Sequence, residues 1–284
     1  MERECFLNIL IALVGGITIL ACGWWPAGHA EGTSARHLEW IRWKQVWLPL
    51  VPASIVAAWL CGWALVEPDP VPERVPVWLL LTSVSFGLLF VRAIIRALWA
   101  LFRDEGDPGT ATVGLLKPWI LFSPHLAKAL DDRAIEAALE HERAHARHRD
   151  PLRVWLAQLA TDLQWPWPQA QKRFRQWMLA LEFARDDEAL RAGAEGSDLA
   201  TAILASVRLR REAILSPGAC LTGEPSALKE RIGRLLGPPI ERSEESPTGA
   251  RVALSLLVSS LLMTIGFGAV FGERVVHALL SIAA

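Results

Sequence analysis

The chain has 284 residues, of which 52% are hydrophobic and only 21% charged, and its net charge is −1. A mean hydropathy of +0.28 is too apolar for an ordinary soluble domain and points to membrane spans. The near-neutral charge argues against direct nucleic-acid binding. Four scattered cysteines (Cys5, Cys22, Cys61, Cys220) with no C-x-x-C pair argue against a disulfide framework or a cysteine zinc site.

Four apolar runs approach or exceed the roughly 20 residues needed to cross a bilayer: residues 6–25, 46–66, 77–102 and 252–271. Several of the 14 Trp lie at their ends (Trp24, Trp25, Trp43, Trp47, Trp63, Trp78), as in an interfacial belt. Arg92 and Arg96 share a face near the end of span three and either snorkel to the interface or face protein, snorkelling being the favoured reading. A cleaved signal at residues 1–30 is disfavoured, because Glu2 and Glu4 offset Arg3 where a signal needs positive charge. Basic residues set the topology. Arg36, Arg42 and Lys44 lie in the first loop, Arg103 follows span three, and Arg242 and Arg251 precede span four. All predict an extracytoplasmic amino terminus and a cytoplasmic segment 104–250.

Within that segment, residues 111–124 are apolar and β-branched between prolines and predict a short strand or hairpin. It serves either as an edge that holds an extended peptide or as a packed connector. Asp131 and Asp132 are N-cap candidates for a helix that ends or kinks at Asp150-Pro151. This helix carries His141-Glu142-Arg143-Ala144-His145, an H-E-x-x-H pattern. Positions i and i+4 lie on one helix face, so both imidazoles reach one metal ion with the carboxylate beside them. His148 is two turns from His141, about 10 Å along the axis, and cannot join that ion; it reads as a polar helix-end residue. His125 and His277 have no partner pattern and read as structural, and His29 and His37 stay unassigned.

A zinc peptidase needs a third protein ligand. The helix-like segment 169–192 offers Glu182, with Asp186 one turn on to accept the free N–H of a ligating histidine. The alternative is a charged surface helix with i,i+4 pairs. On the metal reading, Zn²⁺ is held by His141, His145 and Glu182. Glu142 is then the base that takes a proton from water and returns it to the leaving amine.

At these residues the chain resembles the BlaR/MecR-type membrane zinc metallopeptidases, the antirepressor family. Its H-E-x-x-H-x-x-R-R-D pattern reads His141-Glu142-Arg143-Ala144-His145-Ala146-Arg147-His148-Arg149-Asp150 here, and its E-x-x-x-D reads Glu182-Phe183-Ala184-Arg185-Asp186. The upstream stretch 114–121 and the turn Trp165-Pro166-Trp167-Pro168 are similar too. The resemblance covers about residues 75–235. His148 stands where that pattern has an arginine, and Arg185 where a cysteine is frequent. The penicillin-binding sensor domain of drug-sensing members is expected to be lacking, since about a dozen residues of this sequence follow Phe271. Ser226-Ala227-Leu228-Lys229 matches S-x-x-K without its companions and reads as coincidence.

The resemblance implies a mainly α architecture: a four-helix integral membrane protein with a gluzincin-like zinc peptidase domain between spans three and four. The expected boundaries are 1–103 for three spans, 104–250 for the peptidase domain, and 251–284 for span four and a short tail. The implied location is a bacterial-type inner membrane. The implied substrate is a cytosolic protein such as a winged-helix repressor, with self-cleavage and a homodimer both allowed. The linker 237–250 reads as a tether. The rivals are a constitutive quality-control metalloprotease and a non-catalytic signal relay with a structural zinc.

Overall fold

The computed structural model describes residues 3–24, 34–66, 77–102, 110–214, 225–237, 260 and 262–271. The loop 67–76, the linkers at 104–109 and 238–250, the first part of the expected fourth span, and His29 and His277 lie outside the described residues.

Helix α1 (Arg3–Trp24) leads into α2 (Ala35–Trp47), a 3-10 turn (Leu48–Leu50) and α3 (Val51–Val66). Pro49 lacks a donor and so falls in the tighter turn, yet the helical path from Ala35 to Trp63 continues through it. Helix α4 (Val77–Phe102) follows. Ala35–Trp63 and Leu80–Leu101 are long and apolar enough to cross a membrane, whereas Asn8–Gly23 and α11 (Leu262–Phe271) are shorter apolar helices. These helices approach closely where side chains are smallest. Gly15 faces Phe86 of α4, Gly62 faces the Ile265 backbone, and Gly268 faces the Trp59 backbone, with no room for a Cβ at any of the three. Away from these contacts α4 exposes Leu81, Val84, Leu88, Val91, Ile94 and Ile95, an apolar face suited to lipid.

The remaining elements are a hairpin and six helices. Strands β1 (Thr110–Val113) and β2 (Trp119–Phe122) pair antiparallel with Thr112 opposite Ile120. Then come α5 (Pro124–Ala129), α6 (Asp132–His148), α7 (Asp150–Leu163), α8 (Pro168–Arg191), α9 (Gly196–Ile214) and α10 (Pro225–Leu236). The Asp131 side chain caps α6 by accepting from Ala134 N at 2.9 Å. Arg149 ends α6 in the left-handed region (φ 53°), and the chain turns there into α7 with Pro151 in its first turn. The main core packs Val46 of α2, Ala157 and Ala160 of α7, and Trp177 and Leu181 of α8. A second joins α6, α8, α9 and α10 through Ala137, Ala189, Leu199 and Leu235.

Two expectations are corrected. Residues 35–45, read as part of a loop, form most of α2, which packs along α8. Ala35, Glu39 and Val46 are buried, and Arg42 donates to Gln176 at 2.9 Å. Val46 is buried in the core with α7 and α8, and Trp43 and Trp47 pack against it, so tertiary packing rather than local pattern supports the helix. Nor do Arg92 and Arg96 snorkel away from protein. Arg96 pairs with Asp162 of α7 at 3.1 Å, and Arg92 lies over the Trp165 ring. Asp162 is buried and requires a cation, so it draws Arg96 back to the protein.

Candidate metal centre

Helix α6 presents His141 and His145 one turn apart, with Nε2 atoms 3.0 Å from each other. Helix α8 crosses α6 and places Glu182 against both. Its Oε2 is 3.5 Å from His141 Nε2, and its Oε1 is 3.8 Å from His145 Nε2. One ligand atom from each of the three residues lies within 4.8 Å of the other two. Ligands of one tetrahedral zinc are about 3.3 Å apart, so this donor set of two imidazoles and a carboxylate fits such an ion. Three protein donors would leave a tetrahedral zinc one coordination position for water.

Each imidazole is oriented from behind by an aspartate. Asp186 Oδ1 is 3.0 Å from His141 Nδ1, as the one-turn spacing from Glu182 predicts. Asp150 Oδ2 is 2.9 Å from His145 Nδ1. The sequence marks Asp150 as a helix terminator and as the last position of the family pattern, without assigning it a contact to His145. The left-handed turn at Arg149 is what brings its carboxylate beneath His145. Asp150 is itself held by Arg185, through Nε at 2.5 Å and Nη2 at 3.1 Å, and by Arg153 at 2.9 Å. Glu39 of α2 completes the cluster, 2.5 Å from Arg153 and 3.5 Å from Arg185. Burial alone would raise the Asp150 pKa, but its bonds to His145 and Arg185 hold it well below the usual carboxylate range.

Glu142 is buried on the same helix. Thr110 Oγ1 is 3.0 Å from its Oε1 and Thr112 Oγ1 is 2.8 Å from its Oε2. These threonines alternate on β1 and so face the same way. That alternation could have been read from the sequence and was not.

Arg231 of α10 was also missed. Its Nε and Nη2 bond Asp186 at 2.6 and 2.7 Å, and its Nη1 pairs with Glu182 at 2.7 Å. Its Nη2 lies 3.1 Å from His141 Nε2, so the guanidinium and a metal ion would compete for one side of that ring. Burial and Arg231 push the His141 pKa down, but its bonds to Asp186 and Glu182 outweigh them and raise it to about 9. The carboxylates thus dominate the local field, which favours a cation. Among the other histidines, His148 accompanies Glu188 at 2.8 Å and takes no part in the centre. Ser226 and Lys229 are exposed on α10.

Residues 108–235 match the family model described as BlaR1 peptidase M56. Comparison with curated proteins and with solved structures gives no match. The matched stretch contains the hairpin, both ligand-bearing helices and Arg231, and two helices of the chain are able to cross a membrane. Residues 108–235 thus form a domain similar to the BlaR1 peptidase M56 family, which supports a BlaR/MecR-type member.

Proposed function

We propose that the protein is a zinc-dependent regulatory endopeptidase that cuts a cytosolic protein, such as a winged-helix repressor, at the inner membrane. The observation that carries this reading is the convergence of His141, His145 and Glu182 beside the buried Glu142. Zinc bound by these three residues supplies the Lewis acidity that amide hydrolysis needs. Glu142 takes a proton from the attacking water and delivers it to the leaving amine. Thr110 and Thr112 hold both carboxylate oxygens and fix the direction of that transfer. Among the described residues β1 pairs only with β2, so its second edge is available to the main chain of an extended substrate.

The proposed topology keeps the amino terminus outside and the peptidase domain inside. The docking of α2 on α8 supports it, because Arg36, Arg42 and Lys44 then lie on the same side as the metal centre. The domain division follows with one change: α2 joins the peptidase domain, while 1–24, 48–103 and 251–284 supply the membrane part.

The test is to incubate the purified chain, with and without chelator, with a repressor encoded beside its gene and to identify fragments by mass spectrometry. A discrete, chelator-sensitive cut is expected. Cleavage that chelator does not affect, or none with zinc-loaded protein, overturns the reading. Thr112→Val probes the orientation of Glu142. We expect kcat to fall about 10- to 100-fold with zinc content unchanged. An unaltered kcat would show that Thr112 does not orient the base.

A further inference from the structure

A cavity of about 410 Å³ lies among α2, α6 and α8, and none of the metal-ligand residues lines it. Its polar lining is Arg36 from the first turn of α2, Arg147 and His148 from the end of α6, and Arg185, Glu188 and Arg191 from α8. Four guanidinium groups therefore share one lining carboxylate. Glu188 is already oversubscribed. It lies 2.8 Å from His148 Nε2, accepts from Arg147 Nε at 3.0 Å and faces Arg185 Nη1 at 3.5 Å. Arg147 and Arg185 have further carboxylates outside the cavity, in Glu140, Asp150 and Glu39. Arg36 and Arg191 are exposed, and among the described residues neither has a carboxylate partner. Both positions at which the motifs depart from the BlaR/MecR pattern, His148 and Arg185, line this one cavity.

Glu188 already serves His148, Arg147 and Arg185, while Arg36 and Arg191 line the same cavity with no carboxylate partner among the described residues. A planar carboxylate serves a pair of guanidinium forks, whereas a tetrahedral phosphate serves donors on three sides. We propose that the cavity binds a small phosphorylated molecule, with the buried Arg185 at its base and the exposed Arg36, Arg147 and Arg191 around the phosphoryl group. Arg185 also bonds Asp150, and Asp150 supports the metal ligand His145. An occupant would therefore bear on the metal centre through two side chains.

Inorganic phosphate and pyrophosphate are titrated calorimetrically into the full-length, metal-free chain in neutral detergent, with acetate as the comparison. Without metal the anions have no bound ion to coordinate. Saturable binding of phosphate and tighter binding of pyrophosphate are expected, with none for acetate. Arg36→Glu and Arg191→Glu should each weaken binding about tenfold or more. Arg133→Glu, at an exposed site in the first turn of α6, should leave it unchanged. The double variant Arg36→Gln, Arg191→Gln keeps polar side chains and drops both charges. It should lose binding while its circular dichroism stays that of the parent. Absence of saturable phosphate binding, persistence of binding in that double variant, or equal weakening by Arg133→Glu overturns the proposal.

Discussion

Glu142→Gln is expected to retain zinc and to lose cleavage by about 10²- to 10⁴-fold, the range a positioned acid–base group contributes. The substitution is mild for the fold. Thr110 and Thr112 each bring a hydroxyl to the carboxylate, and a hydroxyl both donates and accepts. The glutamine amide therefore finds a partner for its oxygen and for its nitrogen in the same two threonines. None of the three proposed ligand atoms belongs to Glu142. What the variant loses is the ability to hold a proton between the attack and the departure of the amine. Metal analysis and repressor cleavage are to be measured on one preparation. Normal cleavage would remove Glu142 from the mechanism. Loss of zinc would show that its carboxylate shapes the metal centre instead.

Much of this centre was legible before any coordinates. H-E-x-x-H on an unbroken helical run places two imidazoles and a carboxylate by helix period alone, and Glu182 with Asp186 repeats the same logic on α8. The caps of α6 and the hairpin were legible for the same reason, since Asp131, the prolines and β-branched residues act within a few positions of themselves. What stayed hidden depends on contacts distant in sequence. Arg231 reaches Asp186 from 45 positions away, and Thr110 reaches Glu142 from 32. Neither contact has a local pattern. α2 was misread because its charges suggested a cytoplasmic loop, while its partner surface on α8 lies more than 100 residues further on. Arg96 was misread likewise, since Asp162 is reached only when α7 folds back on α4.

Asp150→Asn is expected to damage both the metal centre and the fold. His145 Nδ1 donates to Asp150 when its Nε2 is free to bind metal. An asparagine can turn its amide N–H toward that ring and favour the other tautomer, which places the proton on Nε2, the atom a metal needs. Loss of such a supporting carboxylate lowers metal affinity by about 10- to 100-fold. The second effect comes from charge balance. Asp150 and Glu39 face Arg185 and Arg153, and Glu188 lies farther from Arg185, at 3.5 Å. Asp150 is only 2% exposed, and its neutralisation takes the nearest carboxylate from the buried Arg185, a cost of about 3–5 kcal/mol. The pH dependence has a definite sign. The carboxyl is held below its ordinary value in the fold, so its contribution is present above the unfolded value of about 4 and is lost as pH falls through the lower, folded one. The parent should therefore lose stability on acidification below about pH 4, and the variant, already without this contribution, should lose less over the same interval. Zinc competition with a chromophoric chelator reads the first effect, and thermal unfolding in detergent at neutral and acid pH reads the second. Unchanged zinc affinity would mean that His145 does not depend on Asp150 for its tautomer. Parallel acid profiles would mean that the Arg185–Asp150 pair does not stabilise the junction of α6 and α7.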